Sequence, residues 1–143
     1  MNECELCARE SSDQEPPGGW VLRTEHWSAC IAPGFEVPGW LFLELRRHAE
    51  GPMGMDDAEA AELGPLLSRL TAGIQAATGA EKVYLLALGE MFPHFHVLLM
   101  PRMPFAPDDE RGPALFLKRP ELVDPPGATE TAARVCAAVS AMP

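Results

Sequence analysis

Short hydrophobic runs separated by turn residues predict five β-strands along this chain. Each run is rich in Trp, Val, Leu, Ile or Phe and is bounded by Pro, Gly or polar residues, which is typical of strands. The predicted strands cover residues 20–23, 27–32, 40–45, 82–88 and 94–100. We expect Pro101 to end the last strand, because proline cannot donate a hydrogen bond to a strand ladder. A short turn joins the last two strands, which predicts antiparallel neighbours.

One long helix is predicted between the third and fourth strands. It begins after Asp56, because Asp56 and Glu59 have the spacing of a capping box. It ends before Gly79, a residue suited to the left-handed position after a helix. Its apolar residues recur on one helical face, namely Leu63, Leu66, Leu67, Leu70 and Ile74. Pro65 lies within this span, so we expect it to kink the helix or to separate its first turns.

The remaining segments are predicted to hold little regular structure apart from a short alanine-rich helix at residues 129–141. Residues 1–18 are polar and end in a Pro-Pro-Gly-Gly loop. Residues 101–128 contain seven prolines and are expected to form a long irregular excursion. The order of elements predicts an α+β fold in a single domain, residues 1–143. It consists of a five-stranded antiparallel sheet, one long helix and a short C-terminal helix.

Composition narrows the classes of partner. The formal net charge is −10, and an acidic surface repels nucleic acid phosphates and anionic membranes. The apolar stretches are far shorter than the roughly 20 residues that a membrane helix requires. The first residues lack the positive end and apolar run of a targeting segment. We therefore expect a soluble, cytoplasmic protein that binds neither nucleic acid nor a membrane.

The first candidate chemistry is a Cys-x-x-Cys pair formed by Cys4 and Cys7. In a reducing compartment this spacing indicates metal or redox chemistry rather than a structural disulfide. A thioredoxin-like site is disfavoured, because the pair does not follow a strand and begin a helix. That the pair binds nothing stays an open alternative. Cys30 and Cys136 lie within apolar patterns and are expected to be buried small hydrophobic residues.

Two of the four histidines lie two residues apart in the last predicted strand. Strand pleating places His94, His96 and Leu98 in one row. Two interpretations of these imidazoles are open. They are surface or hydrogen-bonded histidines without a function, or they belong to a functional site. A structural zinc site has four thiolate or imidazole ligands. The Cys-x-x-Cys pair therefore needs two more, and His48 together with one of the His94/His96 pair is the economical choice.

These features together resemble the histidine triad superfamily. Its members include dinucleoside polyphosphate hydrolases, nucleoside phosphoramidases and a galactose-1-phosphate uridylyltransferase branch. The resemblance covers the N-terminal Cys-x-x-Cys, a Pro-Gly turn before the strand that leads to His48, the long helix and a turn containing Gly89. It continues through residues 94–102, His-Phe-His-Val-Leu-Leu-Met-Pro-Arg. The family pattern for this segment is His-φ-His-φ-His-φ-φ, often followed by Pro-Arg, where φ is hydrophobic.

The resemblance implies a role for each matching residue. By analogy with zinc-containing members, Cys4, Cys7, His48 and His94 would bind Zn²⁺. His96 would be the nucleophile that attacks an α-phosphorus and forms a covalent nucleotidyl-histidine. A neutral imidazole suits this role when its other nitrogen donates to a fixed carbonyl. The resemblance also implies a small-molecule nucleotide as the ligand and a homodimer as the assembly.

The chain departs from the family at positions near the ligand. Leu98 replaces the third histidine, or the glutamine of the uridylyltransferase branch, and cannot form a hydrogen bond. Met91 stands where a Ser or Thr hydroxyl often contacts phosphate, and Ala32 where an Asn often contacts the ribose. By the same alignment we expect Gly89, Met91, Leu98 and Arg102 to contact the substrate. For Arg102, a structural ion pair is an equal alternative.

Two functions from different classes follow. The leading hypothesis is a hydrolase or nucleotidyl transferase that acts on a nucleoside phosphate or dinucleoside polyphosphate through His96. The alternative is a catalytically silent protein of the same fold, which binds a ligand or a partner and keeps a structural zinc site. The three departures from the family motivate this alternative. A third possibility is different chemistry on a less charged substrate, since the histidine row ends in Leu98.

Overall fold

The computed structural model describes residues 3–143 and contains five strands in one antiparallel sheet. The strands are β1 (Leu22–Arg23), β2 (Trp27–Ile31), β3 (Leu41–Leu45), β4 (Lys82–Leu86) and β5 (His96–Arg102). Their order across the sheet is β1-β2-β3-β5-β4. The predicted α+β fold and five-stranded sheet are confirmed. Residues 1 and 2 lie outside the described residues; they belong to the segment 1–18, which was predicted to bind zinc through Cys4 and Cys7.

Within residues 3–143, five α-helices pack around the sheet. They are α1 (Glu5–Ser11), α2 (Asp57–Thr78), α3 (Pro113–Leu117), α4 (Arg119–Leu122) and α5 (Pro125–Ser140). The helix α1 replaces a predicted loop, and α3 and α4 show that residues 101–128 are not irregular throughout. Prolines stand in the first turns of α3, α4 and α5. The missing proline N–H has no intrahelical partner there in any case, so the proline content misled the prediction.

The long helix α2 has the ends that the sequence predicts. Asp56 accepts a hydrogen bond from the backbone N–H of Glu59, the Glu59 carboxylate accepts one from Asp56, and Gly79 is left-handed with φ +75°. The expectation that Pro65 separates the first turns is wrong, because α2 is continuous from Asp57 to Thr78. Pro65 is exposed, so water can hydrogen-bond the helix carbonyl that the proline leaves without a donor.

Pro101 does not end β5, contrary to prediction. Strand β5 pairs with β3 only as far as Leu99, which lies opposite Leu41. On its other side it pairs with β4 through Pro101 and Arg102. At Pro101 one side of β5 therefore has no neighbouring β3 residue, and a missing N–H is tolerated there as it is on an edge strand.

The two faces of the sheet bury two hydrophobic clusters. One face packs against α2 and α5, and its cluster includes Leu70, Ile74, Val97 and Leu99. The opposite face carries Phe42, Leu98 and Met100, covered by Leu115 of α3. Because side chains alternate along a strand, His96 and Leu98 share this second face. None of the helices within residues 3–143 is both long enough and apolar enough to cross a membrane.

Candidate functional site

Four sulfur and nitrogen donors meet at one end of the second face. Cys4 and Cys7 come from the start of α1, His48 from the loop after β3, and His94 from the residues just before β5. One ligand atom from each lies within 4.8 Å of the other three. The fold thus brings together the four residues that were predicted to be metal ligands, although they lie up to 90 positions apart in the sequence.

The distances fit a tetrahedral metal ion. The Nδ1 atom of His94 lies 3.3 Å from Cys4 Sγ and 3.4 Å from Cys7 Sγ. The Nδ1 atom of His48 lies 3.4 Å from Cys7 Sγ. Zinc with bonds of about 2.3 Å to sulfur and about 2.0 Å to nitrogen places such atoms about 3.5 Å apart in a tetrahedron. The donor set and its spacing therefore suit Zn²⁺.

The ring of His94 is fixed in the orientation that a ligand needs. Its Nε2–H donates to the backbone carbonyl of Leu45, which leaves the Nδ1 lone pair facing the two thiols. Burial lowers the pKa of His94, so the neutral ring is favoured. Burial, followed by the nearby Cys4, raises the pKa of Cys7 to about 11. A bound dication reverses this effect, since a coordinating thiol is deprotonated.

Two anchored arginines precede His48. The guanidinium of Arg47 donates to both carboxylate oxygens of Glu59 at 2.8 Å, and it holds the pKa of Glu59 down at about 2. Arg46 donates to the carbonyl of Thr24 at 2.8 Å. The loop that carries His48 is therefore tied to α2 on one side and to the β1–β2 turn on the other.

His96 has the geometry of an imidazole nucleophile. Its Nδ1–H donates to the backbone carbonyl of His94 at 2.7 Å, so Nε2 holds the free lone pair. The ring stacks on Phe42 with centroids 4.2 Å apart, and the edge of Phe92 lies against it. Burial lowers the pKa of His96, which keeps the ring neutral near pH 7. A neutral, oriented ring with one free lone pair can attack an electrophile.

The ring of His96 lines a cavity that is mostly hydrocarbon. Its walls include Phe35, Phe42, Phe92, Phe116 and Leu98. Three of the four predicted substrate contacts, Gly89, Met91 and Leu98, also line this cavity. Ala32, the position aligned with the ribose contact, is fully buried in the hydrophobic cluster of this face.

The fourth predicted contact, Arg102, lies elsewhere. It is at the far end of β5, where its guanidinium pairs with Glu81. It lines a separate pocket between Trp40, Thr78 and Arg134. The ion pair that the sequence left open as an alternative is therefore the arrangement found, and Arg102 has no place at the cavity beside His96.

A buried cluster of charged side chains lies next to His96 and was not predicted from the sequence. Glu44 of β3 lies directly opposite His96 in the sheet register and is fully buried. It pairs with Arg9 of α1, while the neighbouring Glu10 accepts hydrogen bonds from Arg23 and Arg46. Burial raises the pKa of Glu44 to about 8. The presence of Glu44 within the otherwise apolar strand Leu41–Leu45 was the one sign of this cluster in the sequence. The ion pair between Glu44 and Arg9 joins α1 to the strand beside His96.

Comparison with solved structures identifies the fold. A hypothetical histidine triad nucleotide-binding protein from Sulfolobus tokodaii matches with a TM-score of 0.74 and 19% identity, over 96% of this chain and 92% of that one. A zinc-bound histidine triad family protein from Mycobacterium smegmatis matches with a TM-score of 0.74 and 15% identity, over 96% and 94%.

A histidine triad protein from Sinorhizobium meliloti matches with a TM-score of 0.65 and 24% identity, over 81% of this chain and 85% of that one. The chain therefore has the histidine triad fold. No protein-family model matches it, and no curated protein matches it.

Proposed function

We propose that this protein binds a nucleotide and hydrolyses or transfers its nucleotidyl group through His96. The observation that supports this most is the hydrogen bond from His96 Nδ1 to the carbonyl of His94. It fixes the tautomer in which Nε2 is the nucleophile, in a ring that lines a cavity together with Phe42, Gly89 and Leu98. The structural neighbour from Sulfolobus tokodaii, described as nucleotide-binding, supports the same class of ligand.

The proposed reaction has two steps. The Nε2 lone pair of His96 attacks the α-phosphorus, the bond from phosphorus to the leaving group breaks, and its electron pair departs with that group. The product is a nucleotidyl-histidine whose positive ring still donates its Nδ1–H to the His94 carbonyl. Water then attacks the phosphorus, which releases the nucleoside monophosphate and a proton and restores neutral His96. In a transferase, a second nucleophile replaces water.

We also propose that Cys4, Cys7, His48 and His94 bind Zn²⁺. When bound, zinc supplies a rigid link between α1, the loop after β3 and the start of β5, and takes no part in bond making. The backbone carbonyl that orients His96 belongs to His94, so holding His94 also holds the nucleophile. Cys4 and Cys7 are free thiols, and a reducing compartment such as the cytoplasm would keep them available as ligands.

The enzymatic proposal is tested with a panel of substrates. Purified protein is incubated with dinucleoside polyphosphates, nucleoside phosphoramidates and nucleoside triphosphates, and products are separated by chromatography. We expect at least one substrate to yield nucleoside monophosphate, and rapid acid-free quenching with intact-mass analysis to detect the nucleotidyl adduct. The absence of product and adduct for every substrate would falsify the proposal.

The catalytically silent alternative has its own supporting observation. Leu98 is only 3% exposed and belongs to the hydrophobic cluster of its face, so the third position of the histidine row offers no donor to a leaving group. The same panel separates the two functions, because nucleotide binding measured by calorimetry without any turnover would favour the silent protein.

We further propose that the protein is a homodimer. Strand β4 is at the edge of the sheet, where its outer N–H and C=O groups have no strand partner among residues 3–143. Leu85 on this strand and Leu117 beside it are 51% and 71% exposed. Pairing of two edge strands satisfies these groups and covers the leucines. We expect light scattering to give twice the chain mass of 15.5 kDa. A monomer at micromolar concentration contradicts the proposal.

A further inference from the structure

A second cavity lies where β3 begins and β5 ends, between the last turn of α2 and the helix α5. We call it the Arg102 cavity, after the arginine in its wall. Its volume is about 410 Å³, within the roughly 300–1,000 Å³ of small-molecule pockets. Arg102 and His96 stand at opposite ends of β5, which places them about 20 Å apart. Within residues 3–143, the two cavities share no lining residue.

Most of the wall of the Arg102 cavity is hydrocarbon. The apolar side chains come from four separate segments of the chain, and they include Val37, Trp40, Ala77, Leu115 and Leu122. A ligand with an apolar body would remove this surface from water. Among the described lining residues, Glu110 is the one acid. Its carboxylate pairs with Lys118 at 2.9 Å, so it contributes little negative charge to the cavity.

Arg102 has a hydrogen-bond donor that is left unused. Its side chain is only 8% exposed, and its Nη1 donates to Glu81 and to the carbonyl of Met103. Its Nε–H is buried and has no partner within residues 3–143. Such a donor is rare in folded proteins, because the lost hydration is not replaced. The edge formed by Nε and Nη2 is the part of a guanidinium that binds both oxygens of a carboxylate, so the unused Nε–H indicates a missing acceptor.

A second arginine, Arg134 of α5, also lines the cavity. Its side chain is 55% exposed, and its contacts are long: 3.7 Å to Glu130 and 3.4 Å to the hydroxyl of Thr131. Glu130 is itself exposed, so water screens this ion pair. In a chain with a net charge of −10, the Arg102 cavity therefore combines apolar walls with two cations and one neutralised acid.

We propose that the Arg102 cavity binds a small monocarboxylate with an apolar body. In the bound state the Nε–H and Nη2–H of Arg102 donate to the two carboxylate oxygens, and Arg134 adds a positive charge at the cavity mouth. The body of the ligand packs against Trp40 and Leu115. A phosphate monoester fits less well, because its second charge needs further donors and loses its water against hydrocarbon. This site is independent of the nucleotide chemistry proposed for His96.

The test uses three probes that share one ring system: 2-naphthoate, 2-naphthamide and 2-naphthyl phosphate. Binding to the full chain is measured by isothermal titration calorimetry. We expect 2-naphthoate to bind saturably, with one molecule per chain. The amide should bind at least about tenfold more weakly, because a neutral group replaces the charge-assisted pair. The phosphate should bind about threefold more weakly or worse, because its second charge is not matched in the cavity.

Substitutions at Arg102 separate its charge from its geometry. Arg102→Gln should raise the Kd for 2-naphthoate by about tenfold to a hundredfold. Arg102→Lys keeps the charge but loses the planar pair of donors, and it should raise Kd by at least about fivefold. Lys82→Gln is the matched control. Lys82 lies opposite Arg102 in the sheet register but is exposed and outside the cavity lining, so the Kd should stay within about twofold of the wild type.

Two further variants keep the test decisive if Arg102 cannot be replaced without unfolding. Arg134→Glu reverses a charge at an exposed position, and it should raise the Kd by about tenfold, with a larger effect at low salt. His96→Gln should leave 2-naphthoate binding unchanged, because His96 lines only the other cavity.

Saturable 2-naphthoate binding that Arg134→Glu weakens and Lys82→Gln does not weaken supports the proposal. The proposal is overturned if 2-naphthoate fails to bind at millimolar concentration, or if the amide binds equally tightly. Tighter binding of 2-naphthyl phosphate would overturn the carboxylate as the ligand class. Binding that is lost in His96→Gln but kept in Arg134→Glu would place the probe in the other cavity and would also overturn it.

Discussion

Replacing His96 with alanine is expected to lower turnover of the best nucleotide substrate by about 10⁴-fold or more, since no other group replaces a covalent nucleophile. The ring is the one imidazole that lines the cavity among the described residues. The nucleotidyl adduct should also disappear from the intact-mass spectrum. Steady-state kinetics and mass spectrometry on the same preparation measure both effects.

Two controls show whether the loss of turnover results from removal of the nucleophile or from loss of the folded structure. His96→Gln keeps much of the side-chain volume beside Phe42 and should be as inactive as His96→Ala, while melting closer to the wild type. His26→Ala removes an imidazole that bonds Glu62 at 2.8 Å away from the cavity, and it should retain full turnover. If His96→Ala keeps more than about a tenth of wild-type turnover, His96 is not the nucleophile.

The features that the sequence predicted well are those encoded by local patterns. Asp56 and Glu59 are three residues apart, so the capping box is visible without knowledge of the rest of the fold. Alternation along β5 likewise places His96 and Leu98 on one face from their spacing alone. The metal site could not be predicted from local patterns alone. Cys4 and Cys7 are only three positions apart, but their meeting with His48 and His94 was predicted from ligand chemistry and a family resemblance, not from periodicity.

The features that the sequence did not predict depend on contacts between distant segments. The helix α1 has seven residues, and a helix this short is not stable by itself. It forms where Leu6 is buried and Arg9 pairs with Glu44, 35 residues away. The local sequence pattern alone therefore predicted a loop for the residues of α1. The continuity of β5 through Pro101 likewise depends on where β3 stops pairing, which no window around the proline reveals.

Removing the proposed zinc is expected to cause the largest loss of stability. Structural zinc contributes on the order of 10 kcal/mol in small modules that do not fold without metal. This chain has two hydrophobic clusters of its own, so we expect a smaller loss of about 4 kcal/mol, and a decrease in melting temperature of about 10 °C for a chain of this length. Wild-type protein purified without chelator should contain about one zinc per chain.

Substitution at a single ligand provides the matched comparison. Cys4→Ser removes one of the four donors and should lower both zinc content, by atomic emission, and melting temperature, by calorimetry. Cys136→Ser makes the same chemical change at a partly buried thiol outside the donor cluster. It should change neither the zinc content nor the melting temperature by a comparable amount.

Because Cys7 and Arg9 lie on the same short helix, metal loss should also speed hydrogen exchange in α1 before the rest of the fold. If metal-free wild-type protein melts at the same temperature as zinc-loaded wild-type protein, the zinc proposal is contradicted, whatever the activity of His96.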